Sequence, residues 1–220
     1  MTRVLRLALL GGSDLVDSTL SQDEGGRVLT EGLAAVLQAR HADLDEVELR
    51  QLDHRDVWAW VADPEALRAQ IRGVDAVVRS IAPDLESARR GRGLASDFAD
   101  AMAAFIAACK AEDVRVIVLN GSTYDPTDTV SCYRDASDSR PLAIHRLDLE
   151  LIELSMLDGI SVLDVDRVVA EHGGGAHVEG LLRYSPVLSA AIRDQLADIL
   201  EEYGFCDDRP LLVQQGRRER

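Results

Sequence analysis

The chain has 220 residues, 46% of them hydrophobic and 29% charged, enough to bury the core of one α/β domain and too evenly mixed for extended disorder. A formal net charge of -15 repels nucleic-acid phosphates and anionic lipid, which argues against both as partners. The longest apolar stretches, "VLRLALL" and "VRVIVL", fall far short of the roughly 20 residues of a membrane helix, and no secretory-signal pattern opens the chain, so a cytoplasmic protein is expected.

In chain order, residues 4–10, 46–52, 74–81, 114–119 and 160–165 are short runs rich in Val, Ile and Leu, as buried parallel strands require. Longer segments between them space apolar residues three and four apart. In 24–40 these are Val28, Leu29, Leu33, Val36 and Leu37; in 94–112, Phe98, Met102, Phe105 and Ile106; in 141–157, Leu142, Leu149, Ile152 and Leu157. A last helix opens with Ser185 as N-cap and Pro186 at its first position, and stops at Gly204. Strands alternating with helices predict a three-layer αβα fold, a five-stranded parallel doubly wound sheet of flavodoxin-like type, over residues 1–204. Residues 205–220 form a tail whose "LLVQQ" is a candidate contact for a homodimer.

Three cysteines, Cys109, Cys132 and Cys206, are odd in number and in no CxxC pair, so reduced thiols are expected rather than a disulfide framework or a zinc site. In an open α/β sheet the functional crevice lies outside the carboxyl ends of the strands. The first strand delivers Gly11, Gly12, Ser13 and Asp14 there, the third delivers Ala82, Pro83 and Asp84, and the fourth delivers "NGSTYDPTD" from Asn120. The fifth delivers Asp164 and Asp166, followed by "EHGGGAH" with His172 and His177. The glycines of "GGSD" fit a plain turn, and with no GxGxxG and no lysine-bearing phosphate loop a nucleotide site is disfavoured. A serine in that place also fits a nucleophile, which needs a base, an orienting carboxylate and oxyanion donors. Two histidines alone, without a placed carboxylate, do not define a metal site, and no cofactor is expected.

A strand ending in Gly-x-Ser, five strand-helix units and an acidic fifth strand end leading to a Ser-Pro-started last helix together resemble the SGNH or GDSL-type hydrolases over about residues 3–204. The resemblance implies that Ser13 is the nucleophile and that its amide helps bind the oxyanion. Three departures accompany it. Gly12 replaces the aspartate of the first block, "SIAPD" lacks the asparagine of the third, and "GLLRYSP" puts Gly180 and Arg183 where the last block has aspartate and histidine. Arginine stays protonated and cannot accept the serine proton. His177 or His172 is then left as base, with Asp164 or Asp166 to orient it, and Asn120 as a replacement oxyanion donor. Gly11, Gly12, Asp14, Asp84, Asn120, Arg183 and Tyr184 are expected to line the binding crevice. The implied activity is ester hydrolysis or acyl transfer on a small acylated metabolite. A catalytically altered binding or assembly module, and a lyase or transferase using Asp84 or Asp164 as base, are the alternatives.

Overall fold

The computed structural model describes residues 3–11, 15, 30, 32–53, 55–89, 96–124, 140–180 and 183–205. Strand β1 (Val4–Leu10) lies second in a parallel sheet, between β2 (Glu46–Gln51) and β3 (Ala76–Ser80); β4 (Arg115–Leu119) and β5 (Ser161–Leu163) complete the order β2-β1-β3-β4-β5. This is the doubly wound arrangement expected from the alternation of strands and helices. Its register is continuous, with Leu7 opposite Ala76, Val77 opposite Val116 and Val118 opposite Val162. The order in which strands are added reverses between β1 and β3, the place where such sheets open a crevice at their carboxyl ends.

Each face of the sheet carries its own core. Val77, Val116 and Val118 pack with α2 (Val57–Ala62), α3 (Pro64–Ile71), α5 (Ser96–Ala111) and α6 (Arg140–Asp158). Leu5, Leu7, Leu9 and Val78 pack with α1 (Leu33–Arg40), α7 (Val165–Glu171) and α8 (Pro186–Glu202). The period of two in the strands divides alternate residues between the two faces, so central strands read as unbroken apolar runs. In α5 the four expected core positions, Phe98, Met102, Phe105 and Ile106, are all fully buried. Ser185 caps α8 by accepting the Leu188 amide, Pro186 occupies its first turn, and Gly204 follows at φ +72°.

Four features depart from the sequence expectations. Strand β2 is mostly exposed, because among the described residues it is an edge strand paired only with β1, and its Glu46, Glu48 and Arg50 face water. Ala82, Pro83 and Asp84, expected at an open strand end, lie in the first turn of a helix, α4 (Ala82–Arg89), which begins one residue after β3. The glycine-rich segment after β5 folds into α7, a 3-10 turn at Gly174–His177, and a two-stranded hairpin of β6 (Val178–Gly180) and β7 (Arg183–Tyr184). In α6 the buried line is Ile144, Leu147, Leu151 and Leu154, while Leu149, Ile152 and Leu157 point to solvent. The apolar spacing there had two solutions half a turn apart, and packing against α5 selected the other one. No helix among the described residues is long and apolar enough to cross a membrane. The tail from 206 onward lies outside the described residues.

Candidate active site

Gly11 follows β1 and is buried, and a Cβ there would stand 2.8 Å from Leu15 Cδ1. The absent side chain lets the fully buried Leu15 close over the strand end, where Thr30 Oγ1 donates to the Leu15 carbonyl at 2.5 Å. Gly12, Ser13 and Asp14 lie outside the described residues.

At the end of β3 the structure gives Asp84 a different setting from the one expected. It is fully buried, with its carboxylate on the Arg79 guanidinium at 2.5 and 2.7 Å and accepting the Val57 amide at 2.8 Å. Burial pushes the Asp84 carboxyl up, and Arg79 and the Val57 amide act against that shift. Arg79 itself lies 5.4 Å over the Phe105 ring and donates to Met102 Sδ at 3.3 Å. Asp84 therefore ties β3, α4 and the start of α2 together inside the core, and presents no surface to a ligand.

The ends of β4 and β5 are joined by a polar network. Asn120 Oδ1 accepts the Val165 amide at 2.7 Å, and its Nδ2 reaches Asp164 Oδ1 at 3.5 Å. Asp164 is the N-cap of α7, accepting the Arg167 amide at 3.1 Å. Asp166 accepts from Thr123 twice, from its amide at 2.8 Å and its hydroxyl at 2.7 Å. The residues expected to orient an imidazole thus bind backbone and Thr123 instead. Tyr124 crosses to the glycine-rich turn so closely that a Cβ at Gly175 would lie 2.2 Å from its ring, which brings this turn over the strand ends.

The two histidines have separate partners. His172 follows α7, with Nδ1 on the Val168 carbonyl at 2.9 Å, and is exposed. His177 is half-buried and lies with Nδ1 3.0 Å from Ser185 Oγ. Ser185 Oγ accepts the Leu188 amide at 3.4 Å and has a second lone pair for an Nδ1–H, a tautomer that leaves His177 Nε2 as a proton acceptor. The group that faces His177 Nδ1 is thus a serine hydroxyl and not a carboxylate. Arg183 is exposed on β7, and its neighbour Tyr184 is buried.

One residue escaped the sequence reading. Asp148 on α6 is 8% exposed, and its Oδ1 is buried with no hydrogen-bond partner. Burial, followed by the negative charges of Asp166 and Asp164, pushes its carboxyl up to about 7. The signal was present, since Asp148 falls between Ile144 and Leu151 at helical spacings of four and three on the buried line. Among the described residues no group of three or more His, Cys, Asp and Glu is placed to hold a metal ion.

Solved structures place this architecture. A lipase/acylhydrolase from Enterococcus faecalis superposes with TM-score 0.65 at 16% identity, covering 90% of this chain and 96% of that one. A member of the lipolytic G-D-S-L family from Veillonella parvula superposes with TM-score 0.61 at 11% identity, covering 90% and 98%. The chain has the SGNH (GDSL) hydrolase fold. Against a protein from Bacillus subtilis the TM-score is 0.63 at 12% identity, and this chain spans 58% of that longer one. No family model and no curated protein matches the sequence. On this SGNH fold the segment carrying Ser13 follows β1, and His177 and Ser185 lie between β5 and the last helix.

Proposed function

We propose that the protein is a serine ester hydrolase or acyltransferase acting on a small acylated metabolite, with Ser13 as nucleophile and His177 as base. The observation that carries this reading is the fold shared with lipases and acylhydrolases, in a chain whose first strand runs into Gly11-Gly12-Ser13. In the proposed reaction His177 Nε2 removes the Ser13 proton as Oγ attacks the acyl carbonyl. Backbone amides at the β1 turn hold the oxyanion, and the imidazolium returns the proton to the departing alkoxide. Water or an acceptor alcohol then takes the acyl group from Ser13 by the same steps in reverse. His177 is preferred to His172 because it is half-buried against Ser185 at the start of the last helix, whereas His172 is exposed at the end of α7; in either ring an Nδ1–H donated to its oxygen partner leaves Nε2 to accept.

The test is covalent labelling by a fluorophosphonate probe, with hydrolysis of p-nitrophenyl acetate in parallel. Labelling at Ser13, and loss of both signals in Ser13→Ala and of most turnover in His177→Ala, is the expected result. A folded protein that takes no label, or esterase activity that survives Ser13→Ala, sinks it.

A second reading has its own support. Arg183 stands at the position of the family's histidine, and Asp164 and Asp166 are engaged by Asn120, the Arg167 amide and Thr123 rather than by an imidazole. A catalytically altered member that binds a small anionic molecule through Arg183 fits these facts. It predicts no labelling, together with ligand-induced thermal stabilisation that Arg183→Ala abolishes.

A further inference from the structure

Helix α6 has apolar residues on two opposite sides, and only one of them is covered. Ile144, Leu147, Leu151 and Leu154 lie in the core, at 0 to 6% exposure. On the other side Leu149 and Ile152 are each 53% exposed, Met156 81% and Leu157 75%. Positions 149, 152 and 156 alternate spacings of three and four, the seam along which one helix packs on another. A continuous apolar stripe exposed on a chain of net charge -15 marks an interaction surface.

The charges beside the stripe say what fits it. Arg146 and Glu153 flank the same side of the seam, are both exposed, and make no ion pair among the described residues. Laid parallel about a two-fold axis, a second α6 would carry these residues to the opposite edge of the seam, so that Arg146 meets neither Arg146 nor Glu153 of its partner. Laid antiparallel about a two-fold axis near Leu149, it sets Arg146 of each protomer against Glu153 of its partner, so one patch satisfies itself twice. With the axis beside Leu149, Leu149 of one helix meets Ile152 of the other, on both sides, and Met156 lies outward of them. Charge pairing of this kind fixes orientation and register, while the leucines, isoleucine and methionine supply the buried area.

We propose that the exposed face of α6 is the interface of a two-fold homodimer, seated antiparallel on Leu149, Ile152 and Met156 and registered by Arg146–Glu153 pairs. The interface lies on the solvent side of α6 and is independent of Ser13 chemistry, so it stands whether or not the protein hydrolyses esters.

The experiment is sedimentation equilibrium of the full chain over a range of concentrations, with circular dichroism melting to show that each variant is folded. The wild type is expected at the mass of two 24.0 kDa chains, and Leu149→Glu/Ile152→Glu at the mass of one. Arg146→Glu alone and Glu153→Arg alone should each weaken association by about ten-fold or more, and Arg146→Glu/Glu153→Arg together should restore it. A wild type that stays monomeric throughout, a dimer unaffected by Leu149→Glu/Ile152→Glu, or a double reversal no tighter than the single ones each overturns the proposal. In the first case the face belongs to a different partner.

Discussion

Asp84 and Asp148 are both buried carboxylates near the functional end of the sheet, and their surroundings differ. Asp84 has a guanidinium across two of its contacts and a backbone amide on a third. Asp148 has an oxygen with no partner, and the charges that reach it are those of two other aspartates. A buried charge with a matched partner becomes part of the framework, because removing either member strands the other in a medium that solvates it poorly. A buried carboxyl without one keeps its proton into the neutral range and becomes a titrating group. Arg79 is what separates the two: it rises from β3 into the core beside Asp84, and no described cation does so beside Asp148.

The contrast can be broken by experiment. Asp84→Asn leaves Arg79 buried without its counter-charge and should lower stability by about 3–5 kcal/mol in urea unfolding; a loss under about 1 kcal/mol would show that the pair is not structural. Asp148→Asn should act in the opposite direction. The carboxyl of Asp148 is raised from the ordinary carboxylate range to about 7, so its folded form holds a proton that the unfolded chain has released. That contribution to stability is present at acid pH and is lost as pH rises through about 7. The variant should therefore be more stable than wild type by on the order of 2–4 kcal/mol at pH 8, with the difference shrinking toward pH 4. Equal stability curves at both pH values would remove Asp148 from the contrast.

Smaller effects sharpen it. Asn120→Ala leaves the Val165 amide without its acceptor, and should cost about 1–3 kcal/mol without altering the pH at which Asp148 titrates. Asp166→Asn removes the stronger of the two like charges, and should lower the titration midpoint of Asp148 by on the order of one unit in carboxyl-detected NMR. An unmoved midpoint would leave burial and Asp164 as the causes of the shift.

Much of the fold was legible because its signals are local. The Val-rich runs, the heptad-like spacing of Phe98, Met102, Phe105 and Ile106, and the Ser185-Pro186 helix start all depend on residues within one or two turns of each other. The helices at 57–62 and 64–71 were missed, since they are short and their starts rest on Asp56 and Asp63 side chains accepting the Ala59 and Ala66 amides. At the site, the strand-end positions of Asn120, Asp164 and Asp166 could be read from the chain, but their partners could not. Asp166 meets Thr123 43 residues away, and Asp84 meets Val57 27 residues away.

By itself the sequence determined the alternation of strands and helices, the polar residues set at the strand ends, and the serine placed after the first strand, because periodicity, capping and turn chemistry act between near neighbours. Tertiary structure alone decided which face of α6 is buried, that Asp84 belongs to Arg79, that Asp148 lies beside Asp164 and Asp166, and that Ser185 rather than an aspartate holds His177. Each of these is a choice between groups that are equivalent in the one-dimensional pattern, and only packing, which sets what is desolvated and what stands within reach of a charge, distinguishes them.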